Sequence, residues 1–580
     1  MNLFSLISLL GGLAFFLYGM DVMGKGLEKM AGGKLERILE GLTSNKVKGV
    51  LLGLAITAVI QSSSATTVMV VGFVNSGIMK LSQAISVIMG ANIGTTVTAW
   101  ILSLSGISGD GLLMSILKPA NFAPVFALVG VILIMFTKSM KKKDTGSIFI
   151  GFAILMSGMV TMSAAVKPLA DMPEFVNILT LFKNPVLGVL AGAFLTAVIQ
   201  SSSASVGILQ ALSATGAITF GTAIPIIMGQ NIGTCVTAMI SCIGTKTNAK
   251  RAAFVHLYFN VIGTALFMLL FYAINAVIEF SFVDNTATEL NIAVVHTVFN
   301  IITTTVLLPF TKKLERLAVM TVKEAEETSD EFEQLDERFL QSPGFAVERC
   351  TVLTGKMAEL AKVTLKKALE LTVSYDQNVI DEVMKNEDRA DRYEDRIGDF
   401  LVKVASKDLS VNDSETVTLL LEAIGNFERI SDHAVNICES SIEINEKKID
   451  FSKQATEEIA VLKNAVSEII DVAVDAFIRR DAVTAKNVEP LEEVVDDLCS
   501  EIRSRHILRL QRGECTIETG FVYSDLLTSI ERVSDHCSNI AISVIKYDTD
   551  GAKHEYAHEI KSKGKLYKDK YSEYKKEYML

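Results

Sequence analysis

The chain has 580 residues, of which 49% are hydrophobic and 21% charged, and its mean hydropathy is +0.37. It is too apolar for a typical soluble protein and too charged for a bundle made only of membrane helices. The first 320 residues or so are apolar and mildly basic, and the remainder is strongly acidic, giving a formal net charge of −11. We find no basic stripe in the sequence and predict no nucleic-acid partner.

The seven cysteines are odd in number, irregularly spaced and without a CxxC pair. This pattern indicates neither a disulfide framework nor a zinc site. The N-terminal run LFSLISLLGGLAFFLYG lacks a basic leader and a small-residue cleavage site. It therefore predicts a first membrane helix rather than a removed signal peptide.

Apolar stretches in the first half approach or exceed the ~20 residues of a spanning helix. They lie at about 3–19, 49–77, 84–104, 121–137, 147–165, 185–212, 217–243, 252–280 and 290–309. Lysine and arginine mark the loops that remain inside the cell. The basic loops are 25–48, 138–144, 246–251 and 312–316. They predict an external N-terminus and a cytoplasmic C-terminal half.

This orientation exposes a conflict in the chain path. Residue 48 is predicted inside and residue 120 outside, yet two apolar stretches lie between them, and two full spans would return the chain to the same side. One stretch must therefore be re-entrant or broken. The segment from about 184 to 246 has the same problem in the opposite direction, so each segment crosses the membrane an odd number of times.

The two segments are also an internal repeat. Gly53–Ile101 aligns without gaps to Gly192–Ile240, with 24 of 49 positions identical. The identities include TAVIQSSSA at 57–65 and 196–204, and NIGT within 89–99 and 228–238. Many secondary transporters build a midplane binding site from inverted repeats with broken helices. The alternative is that the hydroxyls only bond to helix carbonyls or pack closely, which explains one such block better than two.

Neither block contains Lys, Arg, Asp, Glu or His. Helix N-termini and hydroxyl groups can still hold an anion. A proton-coupled carrier usually needs an intramembrane carboxylate or histidine, whereas neutral oxygens suit Na⁺. The composition of the blocks therefore favours a Na⁺-coupled carrier of an anion.

QSSSATT and GANIGTTVT, together with QSSSAS and GQNIGTCVT, resemble the type II sodium–phosphate cotransporter family, whose bacterial members are similar over about 1–310. The resemblance implies symport of Na⁺ and inorganic phosphate by alternating access in the lipid of a bacterial plasma (inner) membrane. It implies that phosphate lies between the two QSSS turns. The implied substrate- and ion-binding residues are Gln61, Ser62, Ser63, Ser64, Thr66, Asn92, Thr95, Gln200, Ser201, Ser202, Ser203, Asn231 and Thr234; individual Na⁺ ligands are not assigned.

A smaller repeat, V-H-x-x-F-N-x-I-x-T, occurs at 255–264 and 295–304. His256 and Asn260 share one helix face, as do His296 and Asn300. We interpret these residues as interhelical hydrogen-bonding groups; a titrating role for His296 is the alternative.

From about 345 to 550 the pattern is a series of amphipathic helices with a further duplication, NFERISDHAVNI at 426–437 and SIERVSDHCSNI at 529–540. Four E-x-x-x-D pairs place carboxylates on one helix face, which favours a cation site. These pairs are Glu387/Asp391, Glu428/Asp432, Glu492/Asp496 and Glu531/Asp535. This half resembles PhoU, which implies two three-helix bundles that hold a divalent or iron-type metal ion. His433 and His536 are either auxiliary ligands or ordinary surface histidines.

The sequence thus predicts an all-α polytopic transporter, not an enzyme. Its expected segments are a membrane domain (1–320, repeats about 49–104 and 188–243), a linker (321–344), a PhoU-like regulatory domain (345–550) and a polar tail (551–580). The alternative function is a phosphate-sensing membrane receptor without net transport. A homodimer and phosphate-signalling partners are compatible with this prediction.

Overall fold

The computed structural model describes residues 3–31, 45–107, 118–324, 331–547 and 564–580. These ranges are helical, with one isolated β-bridge between Thr219 and Thr286, so the predicted all-α fold class is confirmed. The chain forms two compact units, Met1–Phe345 and Ala346–Leu580. The finer limits at 320, 344 and 550 stay predictions. Parts of the predicted first basic loop (32–44), linker (325–330) and tail (551–563) lie outside the described residues.

The first unit contains thirteen α-helices within its described residues. They are α1 (Leu3–Ala31), α2 (Lys46–Ile60), α3 (Ser63–Asn75), α4 (Leu81–Ser103), α5 (Pro119–Phe136), α6 (Met140–Val166), α7 (Pro173–Leu181), α8 (Pro185–Ile199), α9 (Ser202–Ser213), α10 (Phe220–Ser241), α11 (Thr247–Ile278), α12 (Glu289–Leu307) and α13 (Thr311–Thr321). Six helical segments, at 3–30, 81–106, 140–170, 220–241, 247–278 and 289–321, are long and apolar enough to cross a bilayer. The chain is therefore a multi-pass membrane protein.

The first QSSS block divides its apolar stretch into α2 and α3. Helices α2 and α4 run parallel, because Gly49 lies against Ser86 and Gly94 lies against Thr57. Helix α3 connects them in the chain and so must run back in the opposite direction. We call α2 and α3 hairpin 1. Each of its helices is only about 20 Å long, too short for a hydrocarbon core of about 30 Å, so the hairpin is re-entrant.

The second QSSS block forms hairpin 2 from α8 and α9 in the same way. Helix α8 is parallel to α10, because Gly188 lies against Pro225 and Gly233 lies against Thr196. Each hairpin with its following long helix thus makes a single crossing, which resolves the conflict in the predicted path. If the shorter apolar helix α5, with 18 residues, also crosses the membrane, two crossings separate each pair of consecutive basic loops and all four lie on one side.

Each hairpin packs on its long helix through glycine. A Cβ atom at Gly53 would lie 2.0 Å from the Val87 carbonyl oxygen, and one at Gly192 would lie 2.1 Å from the Ile226 carbonyl oxygen. Small residues of this kind allow helix backbones in a membrane to approach closely. The equivalence of the two contacts extends the sequence repeat to helix packing.

The second unit is built from seven long helices and one short one within its described residues. They are α14 (Pro343–Glu370), whose first three residues belong to the first unit, α15 (Gln377–Ala405), α16 (Val411–Lys447), α17 (Lys453–Arg479), α18 (Ala482–Ala485), α19 (Val488–Gln511), α20 (Ile517–Lys546) and α21 (Lys565–Glu577). Helices α14 to α16 form one three-helix bundle, and α17, α19 and α20 form the other. Helices α16 and α20 join the bundles, where Ser543 donates to Glu422 at 2.7 Å.

The described part of the predicted polar tail is a helix that docks on the second bundle. Tyr571 donates a 2.5 Å hydrogen bond from α21 to Asp497 on α19, and Lys575 pairs with the same carboxylate at 2.8 Å. Tyr567 and Tyr578 donate to Glu493 and Glu468. The lysine and tyrosine content of the tail thus complements the acidic surface of the bundle.

We predict that Gly53→Ala destabilises the membrane unit by about 1–3 kcal/mol, because the added methyl group overlaps the α4 backbone. Thermal unfolding of the detergent-purified chain would measure the loss. The matched control is Gly11→Ala, because a Cβ atom at Gly11 meets nothing within 4 Å. An equal loss in both variants would contradict the packing argument.

Candidate functional site

Both hairpin tips have the same backbone conformation. Gln61 and Gln200 end the preceding helices in the left-handed region, with φ of 60° and 58°. Ser62 and Ser201 are extended and cap the following helices, accepting from the Ala65 and Ala204 amides at 3.1 and 3.2 Å. The first serine of each QSSS block is therefore a helix N-cap. The next two residues begin a helix, where backbone N–H groups have no intrahelical acceptor.

The two tips meet at one polar cavity of about 290 Å³. All eight glutamine and serine residues of the two turns line it, namely Gln61, Ser62, Ser63, Ser64, Gln200, Ser201, Ser202 and Ser203. The hydroxyl oxygens of Ser63 and Ser202 are 3.4 Å apart across the pseudo-symmetric contact. Two helix N-termini, each with a partial positive charge, thus point at the same space. The structure brings together residues that are 139 positions apart.

The first hairpin has a closed hydrogen-bond network at its tip. Thr98 donates to the Gln61 side-chain oxygen at 2.9 Å, and the Gln61 amide nitrogen donates to Ala58. Thr66 accepts from Thr57 at 3.1 Å and donates to the Ser62 carbonyl at 3.0 Å. Thr66 is therefore a structural part of hairpin 1 and does not line the cavity.

The second hairpin leaves the equivalent oxygens without protein partners. Gln200 is exposed, whereas Gln61 is buried. The buried hydroxyls of Thr196, Ser205 and Thr237, which are the counterparts of Thr57, Thr66 and Thr98, make no hydrogen bond. Unpaired buried oxygens are costly. The two halves of the site are therefore chemically different despite their common backbone.

The predicted residues of the NIGT blocks lie in the helix packing and do not line the cavity. Thr95 and Thr234 donate back to the carbonyls of Ala91 and Gln230 at 3.1 and 3.0 Å. Asn231 donates to the Ile227 carbonyl at 3.0 Å. These three side chains make the local bonds that hydroxyl and amide groups commonly make in membrane helices.

Asn92 instead joins two helices. Its amide nitrogen donates to Asn260 at 2.8 Å, and its oxygen lies 3.4 Å from the His256 ring nitrogen. The predicted interhelical bonding is therefore present for His256 and Asn260. For the second pair, Asn300 donates to the His296 carbonyl within α12.

Sequence reasoning did not include four charged or polar residues that complete the cavity wall. Asp21, Lys25 and Glu28 come from the C-terminal part of α1, and Gln341 comes from the predicted linker. Lys25 pairs with Asp21 at 2.9 Å. The D-x-x-x-K-x-x-E pattern at the end of an apolar helix is a signal for the first three, whereas no pattern marks Gln341.

The second unit gathers six of the eight predicted acidic residues into two groups. In each group, ligand atoms from three carboxylates lie within 4.8 Å of one another. The groups are Glu387, Asp391 and Asp432, on α15 and α16, and Glu492, Asp496 and Asp535, on α19 and α20. Glu428 and Glu531 belong to neither group; Glu531 accepts from Arg503. Each group thus combines both carboxylates of one E-x-x-x-D pair with the aspartate of a second pair on the neighbouring helix.

Burial and repulsion between carboxylates raise pKa values in the second group. Burial, followed by repulsion from Asp496, raises the pKa of Glu492 to about 8. Burial and then Glu531 raise the pKa of Asp496 to about 6. In the first group, burial and then a neighbouring aspartate raise the pKa values of Glu387 and Asp391. A bound cation would relieve this repulsion and favour the ionised carboxylates.

The two histidines that follow the cluster aspartates pair with each other. The rings of His433 and His536 have their centroids 5.7 Å apart, and His536 Nδ1 lies 3.0 Å from the Asn426 side-chain oxygen. Neither histidine belongs to the two carboxylate groups. Their contacts link α16 to α20 between the bundles.

A multi-pass helical protein in which two re-entrant hairpins meet at a polar cavity has the architecture of a membrane transporter. The family model described as Na⁺/Pi-cotransporter matches residues 15–164 and 154–283, and the PhoU domain model matches 354–441 and 459–544. The chain belongs to the Na⁺/Pi-cotransporter family and carries a duplicated PhoU domain.

Three relatives match different shares of the chain. YqeW of Bacillus subtilis, named as uncharacterized, is 31% identical over 54% of this chain and 96% of its own length. YjbB of Escherichia coli K12, named as a candidate inorganic phosphate export protein, is 23% identical over 95% of this chain and its full length. The sodium-dependent phosphate transport protein 2A of Rattus norvegicus is 39% identical over 17% of this chain and 15% of its own.

We predict a pH-dependent stability caused by the second acidic group. In a chelating buffer, stability should fall as pH rises from about 4.5 to 8, because the folded state holds protons there that the unfolded chain has lost. The double variant Glu492→Gln/Asp496→Asn should show a weaker dependence in thermal unfolding followed by circular dichroism. The control is Asp525→Asn, an exposed residue on α20; an unchanged slope in the double variant would contradict the prediction.

Proposed function

We propose that the protein is a sodium-coupled symporter of inorganic phosphate that works by alternating access. The observation that carries this proposal is the meeting of both QSSS turns at one cavity. The cavity combines two helix N-termini with hydroxyl donors, the groups that proteins use to bind phosphate without a dedicated cation. The phosphate oxygens would be held by Ser63 and Ser202 from the facing tips, with Ser64 and Ser203 as further donors.

Sodium coupling is supported by the charges around the cavity. The α1 wall contributes Asp21 and Glu28 against the single cation Lys25, so the formal charge of its side chains is negative. A phosphate anion enters such a space more favourably together with cations. The unpartnered oxygens of Thr196 and Ser205 in hairpin 2, and of Thr237 on α10, are neutral ligands of the kind that a hard cation accepts.

The gradients of Na⁺ and phosphate, and not the structure of the binding site, set the direction of net flux. Relatives are named for sodium-dependent phosphate transport and for phosphate export. One symporter can support both directions because coupled transport is reversible and net flux follows the combined gradients of Na⁺ and phosphate. Transport must therefore be tested with Na⁺ gradients of either sign.

We predict that Ser63→Ala and Ser202→Ala each lower the apparent phosphate affinity by about 10–100-fold, because each removes a hydrogen bond to an anion. The measurement is radiolabelled phosphate uptake by the full chain in proteoliposomes, with an inward Na⁺ gradient against K⁺ replacement. Ser213→Ala is the matched control in hairpin 2, since that hydroxyl donates to the Gln210 carbonyl of its own helix.

Wild-type accumulation that requires Na⁺ would support the symporter. Binding without accumulation under either gradient would instead indicate the phosphate-sensing receptor. Loss of affinity in Ser213→Ala equal to that in Ser63→Ala would remove the facing tips as the binding site.

The second unit supports a regulatory proposal. Each acidic group supplies three carboxylate oxygens from two adjacent helices, a hard ligand set that suits a divalent cation or an iron-type metal ion. Bound metal would hold α15 to α16 and α19 to α20 by neutralising their repulsion. Since the unit follows the transporter in the same chain, we propose that its metal-bound state modulates phosphate transport.

We predict that the full chain binds Mn²⁺ with release of protons, because Glu492 must ionise, and that binding weakens as pH falls below about 8. Calorimetry in buffers of different ionisation enthalpy would measure this release. Glu492→Gln/Asp496→Asn should lose Mn²⁺ binding at this group and change the response of transport to internal Mn²⁺. It should keep Na⁺-dependent uptake; loss of uptake in a correctly inserted variant would oppose a purely regulatory role.

A further inference from the structure

The residues that follow the last membrane helices fold back onto hairpin 1. We call 331–345 the strap. Within it Phe339 and Phe345 are buried, with 0% and 2% exposure. Their rings pack on Phe73 of α3, with centroids 5.5 and 4.6 Å from its ring. The strap, which overlaps the second half of the predicted linker, therefore packs within the first unit.

Polar contacts fix the strap at the end of α3. Asp336 accepts from Asn75 at 2.8 Å and pairs with Arg338 at 2.6 Å. Arg338 donates to the Ser241 carbonyl at 3.0 Å, and Asn75 also accepts from the Lys246 backbone at 2.9 Å. The strap is thus tied to hairpin 1 and to the end of α10.

The internal repeat differs at the positions that receive the strap. Gly72 lies under Phe339, and a Cβ atom there would come within 2.7 Å of that ring. The counterparts of Gly72, Phe73 and Asn75 in hairpin 2 are Ala211, Leu212 and Ala214. Hairpin 2 therefore lacks the space, the aromatic ring and the amide that hold the strap, which explains part of the divergence between the repeats.

The strap also contributes to the cavity between the two QSSS turns. Gln341 lies two residues after the buried Phe339 and lines the cavity together with the two QSSS turns. It is exposed, so its side chain has room to turn toward a bound solute. Its amide group carries two donors and no charge. These are the properties of a residue that can hydrogen-bond phosphate oxygens.

We propose that Gln341 is a phosphate-contacting residue supplied by the strap, so that strap docking on hairpin 1 completes the transport site. The proposal rests on the phosphate symport proposed above. Since the strap continues directly into α14, the phosphate site and the first helix of the PhoU unit share one short segment of chain. The state of that segment then sets phosphate affinity without changing the serine turns.

The test compares Gln341→Glu with Gln334→Glu in the full chain in proteoliposomes. A carboxylate at 341 should raise the apparent KM for phosphate at least about tenfold, because it replaces donors with a negative charge beside the anion. Its Na⁺ requirement should persist. Gln334 lies in the same strap and does not line the cavity, so Gln334→Glu should match the wild type.

A second pair of variants tests docking rather than the residue itself. Gly72→Ala should displace Phe339 and raise the phosphate KM, whereas Ala211→Gly, at the equivalent position of hairpin 2, should not. Size-exclusion elution checks that each variant is folded. Equal KM values for Gln341→Glu and Gln334→Glu in an active protein would overturn the strap proposal alone. Absence of phosphate binding and transport in the wild type would instead overturn the symporter, and the strap proposal with it.

Discussion

The structure depends on one constraint, which is that non-helical backbone inside a membrane must find hydrogen bonds or face a water-filled space. Both QSSS turns interrupt a helix within an apolar stretch. The extended Ser62 and Ser201 are caps that satisfy one amide of the next helix. The remaining free amides face a cavity shared by the two tips. The same interruption that would be costly in lipid creates a pair of anion-attracting helix ends.

The two repeats share a backbone but not a chemistry. In hairpin 1 the buried Gln61 accepts a hydrogen bond from Thr98 of α4, and the far end of the hairpin carries the strap. Hairpin 2 keeps an exposed Gln200 and several buried hydroxyls without partners. An inverted repeat alone does not require such a difference.

The groups gathered in the PhoU unit are charged carboxylates, whereas those of the QSSS turns are neutral. Its acidic residues crowd between adjacent helices, and burial holds the pKa of Glu492 near 8. Repulsion of this kind favours protonated carboxylates in the folded unit. The basic and aromatic helix α21 balances another part of the acidic surface through Asp497.

The sequence by itself determined the all-α class, the broken apolar stretches and the two QSSS turns, because length, charge bias and repetition are local or periodic properties. It also placed carboxylates on common helix faces through the i, i+4 spacing. Only the tertiary structure decided that Asn92, Thr95, Asn231 and Thr234 lie away from the cavity and that Gln341 lies on it. Those outcomes depend on where the cavity forms, and it forms where two turns 139 positions apart meet, which no spacing rule encodes.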